Sequence, residues 1–148
     1  PEWPYTPPVD RMHGYRTALE DAGLDVDPQL VVDLPWSTTM GARGMDRLLS
    51  AERPPTAVFA FCDEVAMGAL RSLRRAGVPV PRAMSVIGID DHPFADLWDL
   101  TTVRQPVELQ GVRSARTALA LLGGEPVADR HLTVPTHLVI RSTTAPAD

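Results

Sequence analysis

Two short, largely apolar runs, the continuous Ala57 to Phe61 and Ser85 to Ile89, flank a stretch with helical rather than strand periodicity. Between them Val65, Ala66, Ala69, Leu70 and Leu73 recur at three- and four-residue spacing, and Gly77 stands where a C-terminal cap glycine belongs. A run with no polar alternation has no face to give to water, so each is expected to be a fully buried parallel strand. Asp63 is placed to cap the helix between them.

The alternation continues on both sides. Pro1 to Pro8 reads as an irregular loop, and Asp10 to Ala22 as a helix with Met12, Tyr15, Leu19 and Ala22 on one face and Gly23 as its cap. Leu30 to Val32 reads as a short strand. Ser37 or Thr38 caps a helix whose inward side holds Met45, Leu48 and Leu49. Further on, His92 to Leu100 is a loop and Thr102 to Gln105 is strand-like. Pro106 suits the first position of a helix that runs to about Leu122, before Gly123-Gly124. His131 to Val134 and His137 to Ile140 are short strands split by Pro135, and the polar tail from Ser142 is expected to fray. Strands alternating with helices imply an α/β fold, a Rossmann-like parallel sheet with helices on both faces.

Length and composition bound the function. One domain fits in 148 residues, 44% of them hydrophobic and 22% charged. No apolar run approaches the roughly 18 residues of a membrane span. Cys62 is the one cysteine, which excludes an intrachain disulfide and fits a reducing, cytoplasmic setting. All 14 basic residues are Arg; Lys and Asn are absent, which removes a P-loop lysine, a Schiff-base lysine and N-glycosylation. The net charge of -5 and the absence of a basic run make nucleic-acid binding by this segment itself a poor expectation.

Ligands of open α/β sheets sit beyond the carboxyl ends of the strands. Phe61 runs there into Cys62-Asp63-Glu64, Ile89 into Asp90-Asp91-His92, and Val103 into Arg104-Gln105. Arg11 opens the first helix and Trp36 precedes the second. Carboxylate, guanidinium, amide and indole together suit a polyol: Asp and Arg bond pairs of hydroxyls, and Trp stacks on the apolar face of a sugar ring. Plainer readings stand beside this one. Asp63 reads as a cap before it reads as a ligand contact, Asp90-Asp91 also reads as a strand end and turn, and Cys62 also reads as a small buried residue. The scattered histidines, His13, His92, His131 and His137, make no spaced metal pair, so neither metal nor cofactor is expected. No nucleophile, base and orienter come together, which disfavours an enzyme.

The run 54–70, Pro-Pro-Thr-Ala-Val-Phe-Ala-Phe-Cys-Asp-Glu-Val-Ala-Met-Gly-Ala-Leu, resembles the effector domain of LacI/GalR-type transcription regulators. So do Val78-Pro79-Val80-Pro81 leading to 85–91, the crossover 100–106, the ending 138–144, and the Arg-x-x-Gly-Tyr helix at Arg11. The resemblance covers nearly the whole chain and implies a periplasmic-binding-protein type I-like fold, in which two Rossmann-like subdomains close on a ligand. It implies effector contacts at Arg11, Trp36, Cys62, Asp90 and Gln105. Cys62 stands where members often carry Asn, which implies an effector that is smaller or differently oriented.

The resemblance also implies that the first half of the fold, the helix-turn-helix and the hinge helix are missing here. About 1–103 and 136–148 would form the C-terminal subdomain, and about 104–135 would belong to the N-terminal one. A sugar or similar small polar effector, operator DNA reached only through the helix-turn-helix, and a homodimer are the implied partners, with no membrane. Met67, Leu70, Leu97 and Trp98 are the candidate dimer contacts. A transporter's periplasmic sugar-binding protein of the same fold is the alternative.

Overall fold

The computed structural model describes residues 7–127 and 133–146. In chain order the elements are α1 (Pro7–Asp21), α2 (Thr38–Leu49), β1 (Ala57–Phe59), α3 (Asp63–Ala76), β2 (Ser85–Asp90), β3 (Thr101–Arg104), α4 (Val107–Leu122) and β4 (His137–Val139). Single 3-10 turns form at Pro28–Leu30 and Asp96–Trp98. The four strands make one sheet in the order β1-β2-β3-β4. β1, β2 and β3 run parallel, and β4 returns antiparallel to β3. This is the α/β architecture that the apolar runs require.

Local chemistry explains the element ends. Ser37 caps α2 by accepting a bond from the Met40 amide at 3.2 Å. Gly77 closes α3 at φ 70°, a left-handed conformation that glycine takes without a Cβ penalty. α2 and α3 are pressed close together. A Cβ on Gly41 would overlap the Val65 carbonyl, and one on Gly68 would overlap that of Thr38. Their shared face holds the core: Met45, Leu48, Ala66, Ala69, Leu70 and Leu73 meet Val86 of β2, Met84 and Leu100.

The other sheet face is covered far less. Tyr15 of α1 stacks on Phe59 with ring centroids 6.3 Å apart, and α4 has no buried residue. Helices therefore reach both faces, but only α2 and α3 seal one.

Several local expectations need correction. α1 starts at Pro7, inside the expected opening loop; residues 1–6 lie outside the described residues. β1 is not a fully buried strand, because it is the edge of the sheet and Ala57 and Phe59 are exposed. Leu30 to Val32 is not a strand. Val31 is extended, at φ -97° and ψ 118°, but this segment pairs with no strand of the sheet, and it lines an apolar cavity of about 770 Å³ together with β1. Thr133 and Val134 form no strand, and His131 lies outside the described residues.

The described part of the tail, Ser142 to Pro146, does not fray. Thr143 is buried: its backbone carbonyl accepts from the Val86 amide at 2.8 Å, and its hydroxyl donates to the Val86 carbonyl at 2.7 Å and accepts from the Thr101 amide at 2.9 Å. The polar side chains that made this segment look like a loose tail are the ones that tie it to β2 and β3.

Candidate functional site

β1, β2 and β3 are parallel, so their carboxyl ends lie at one edge of the sheet, and the chain leaving each carries a site residue. Beyond β1 comes Phe61. The Arg11 Nη1 atom donates to the Phe61 carbonyl at 2.6 Å, and the guanidinium lies 4.6 Å from the centre of its ring. Trp36 stacks on that ring with centroids 4.7 Å apart and an interplanar angle of 29°. One aromatic residue thus orients both the guanidinium and the indole. Trp36 and Phe61 also form part of the wall of the apolar cavity.

At the end of β2, Asp90 takes φ 126°, in the left-handed region. A non-glycine residue held there costs roughly 1–3 kcal/mol, a strain that clusters at ligand-gripping positions. Its Oδ1 accepts from Nε2 of Gln105, just beyond β3, at 2.5 Å and lies 3.9 Å from Nη2 of Arg11. The Asp90 side chain is 38% exposed, so the carboxylate faces solvent while the Gln105 amide holds it and the Arg11 guanidinium stands at ion-pair distance.

Cys62 follows Phe61 at the N-cap of α3 and makes no side-chain cap bond. Burial pushes its thiol pKa up, and the nearby Asp90 charge adds to the rise. A thiol so shifted is a poor nucleophile. The structure therefore brings Arg11, Trp36, Cys62, Asp90 and Gln105 to one place. Phe61 is the residue that sequence reasoning passed over, since its contribution is a backbone carbonyl and a ring face.

Two neighbouring carboxylates have other duties. Asp63 is not the cap of α3, because Cys62 holds that position. It is fully buried, with Oδ1 accepting from the Thr102 hydroxyl at 2.6 Å and Oδ2 from the His92 amide at 2.8 Å. Burial raises its pKa, and these hydrogen bonds offset part of the rise. Asp91 turns away to Arg104 Nε at 2.6 Å and Arg141 Nη2 at 2.8 Å. Burial raises the Asp91 pKa too, but the bonds and charges of the two arginines outweigh it and leave the group below its ordinary value.

The expected dimer contacts separate. Met67 and Leu70 are 6% and 8% exposed, buried within this chain by α3 packing, so they offer a partner almost no surface. Trp98 is half-buried against the core with the Arg74 guanidinium 5.3 Å from its ring centre, whereas Leu97 is 79% exposed. Among the described residues, no group of three or more His, Cys, Asp or Glu could hold a metal ion.

Residues 4–144 match the family described as periplasmic binding protein-like domain. The chain belongs to that family. Within it, the resemblance to the C-terminal part of LacI/GalR-type regulators holds across the chain. The HTH-type transcriptional regulator DegA of Bacillus subtilis is 35% identical over 139 residues, which are 93% of this chain and 41% of that relative. The chain thus spans about two fifths of that curated relative's length. Among solved structures, the transcriptional regulator CelR–cellobiose complex matches with a TM-score of 0.86 at 36% identity, over 91% of this chain and 42% of that one. The transcription regulator CcpA of Lactococcus lactis matches with a TM-score of 0.84 at 30% identity, over 93% of this chain and 51% of that one. Among the described residues, no helix of this periplasmic-binding-protein-like chain is long and apolar enough to cross a membrane.

Proposed function

We propose that this chain is the effector-gripping part of a cytoplasmic LacI/GalR-like transcription regulator. It binds a sugar or similar small polar ligand and makes or breaks no bond in it. The observation that carries this reading is the cluster of Arg11, Asp90 and Gln105 around the stacked Phe61 and Trp36. The carboxylate and guanidinium address hydroxyls, and the aromatic pair addresses the apolar face of a ring. Cellobiose in the related CelR complex supports a sugar as the ligand class.

Residues up to about 103 and from about 136 form the C-terminal subdomain, and about 104–135 belong to the N-terminal one. The uncovered apolar face of α4 supports this division. Ligand binding closes the cleft between the subdomains, and the shift in population alters the spacing of DNA-binding heads elsewhere in the protein. Two copies pair through the C-terminal subdomain, with Leu97 and the Trp98 rim as contacts. Regulators rather than transporter proteins among the relatives above favour this reading over a periplasmic sugar-binding protein.

The test is calorimetry on the intact regulator with cellobiose and a panel of mono- and disaccharides. Hydrogen bonds to a charged group contribute about 1.5–3 kcal/mol each. Asp90→Ala is therefore expected to weaken the best ligand at least tenfold, about 1.4 kcal/mol, while the unfolding midpoint holds. An affinity that Asp90→Ala leaves unchanged refutes the site.

A further inference from the structure

Asp63 is fully buried and is not used as a helix cap, as a ligand contact or in an ion pair. Its two oxygens are spent on the corner that follows β2. Oδ2 accepts from the His92 amide, and Oδ1 accepts from the Thr102 hydroxyl. Thr102 Oγ1 in turn accepts from the Asp91 amide at 3.3 Å. The direction of this relay is fixed. The hydroxyl has one proton, and giving it to Asp63 leaves its lone pairs for the Asp91 N–H. Two successive amides immediately after Asp90 are thus held by one carboxylate, one of them directly and the other through Thr102. The corner they hold is the strained one, with Asp90 at φ 126° and Asp91 at φ 55°. Gly88 completes the arrangement, because a Cβ there would occupy the place of Asp63 Oδ1.

We infer that Asp63 is a positioning residue for effector recognition: through the His92 amide and the Thr102 hydroxyl it holds the left-handed Asp90–Asp91 corner that aims the Asp90 carboxylate at Arg11 and Gln105. This rests on the reading of Asp90 as an effector contact. The raised pKa of Asp63 agrees with a carboxylate kept in a buried place for its acceptor geometry. The Arg104 and Arg141 bonds of Asp91 secure the side chain of the corner, whereas Asp63 secures its backbone.

Amide hydrogen exchange on the 148-residue chain tests the corner itself. Thr102→Val keeps the side-chain shape and removes the relay. It should speed exchange of the Asp91 amide about tenfold, equivalent to 1.4 kcal/mol of lost protection, with the Val86 and Ala66 amides unchanged. Thr102→Ser, which retains the hydroxyl, should restore protection. Asp63→Asn keeps one oxygen, which the His92 amide can still use, and turns an N–H donor toward Thr102, so it should expose the Asp91 amide more than the His92 amide. Gly88→Ala should reproduce the Asp63→Asn pattern without altering any charge. Unchanged exchange at Asp91 in Thr102→Val, or failure of Thr102→Ser to restore it, overturns the inference. The Thr102 pair decides even where Asp63→Asn does not fold.

Calorimetry with cellobiose on the intact regulator adds the functional arm, where Asp63→Asn should weaken binding and add little to the loss from Asp90→Ala. Fully additive losses overturn the positioning role. If cellobiose binds neither the parent nor any variant, cellobiose fails as the effector, while the exchange arm still decides the role of Asp63.

Discussion

α3 and α4 are helices of similar length, 14 and 16 residues, and both carry aliphatic side chains at helical spacing. α3 buries Ala66, Met67, Ala69, Leu70 and Leu73 among its residues, and α4 buries none. In α4, Leu119 is 69% and Leu122 85% exposed. The contrast shows what an amphipathic pattern encodes. It specifies that a helix has an apolar face, not what covers that face. α3 has β2 beneath it and α2 alongside, close enough that Gly41 and Gly68 must lack side chains. α4 lies between β3 and β4 in the chain, yet none of its residues is buried against the sheet. Most helical stability in proteins comes from packing rather than propensity, so the two helices should respond very differently to the same lesion.

The largest effect is expected at Leu73, which is fully buried. Leu73→Ala deletes packing that the tight α2–α3 contact cannot refill, and should destabilise the chain by about 2–5 kcal/mol. Urea unfolding monitored by circular dichroism measures it. A loss below about 1 kcal/mol would contradict the dense packing assigned to this half, given the range for buried leucines.

The same contrast explains how much was legible in the sequence. The capping Ser37, the closing Gly77 and the periodic apolar residues of α2 and α3 are local signals, and the elements follow them. Burial is not local. Ala57 to Phe59 has the composition of a central strand but lies at a sheet edge, and Leu30 to Val32 has that of a strand but faces a cavity. Asp63 shows the same limit. A carboxylate at the start of a helix looks like a cap, and only Thr102 and His92, distant in sequence, show that it is a buried acceptor. Arg11, Trp36, Asp90 and Gln105 were legible because family resemblance supplies the long-range pairing that periodicity lacks. The Phe61 carbonyl was not, since no side-chain type announces a backbone acceptor.

A middle-sized effect belongs to Asp91, at the junction between the packed half and the strand that leads to α4. Charge-assisted bonds contribute about 1.5–3 kcal/mol, and Asp91→Asn leaves Arg141, itself mostly buried, with only the exposed Asp96 carboxylate at 3.6 Å, so a loss in that range is expected at neutral pH. The pH dependence sharpens the assignment. The folded pKa of Asp91 lies below the ordinary value of 3.8, so its stabilisation is present above that value and disappears as pH falls through the folded pKa. Asp63 acts in the opposite sense. Its folded pKa lies above 3.8, so its contribution falls as pH rises from that value to the folded pKa and is constant beyond. Urea midpoints across the acid range should therefore show a shallower acid loss in Asp91→Asn than in the parent. An equally steep loss would place the titrating group elsewhere.

The smallest effect, and the sharpest contrast with Leu73, is expected at Leu119. Truncating an exposed side chain that touches little falls within about 0.5 kcal/mol of neutral, because the transfer free energy lost by a buried leucine was never gained here. Leu119→Ala should leave the urea midpoint of the 148-residue chain where it stands. An isolated helix of this length is marginal in water, so α4 should also show fast amide exchange while α3 stays protected. A loss approaching that of Leu73→Ala would mean that α4 is covered in solution, and concentration dependence would identify the cover. A midpoint that rises with protein concentration in the parent, and not in Leu119→Asp, would assign the covering surface to a second copy of the chain. A concentration-independent loss would instead mean that α4 folds back on its own sheet, where Phe59 and Leu138 are exposed apolar side chains.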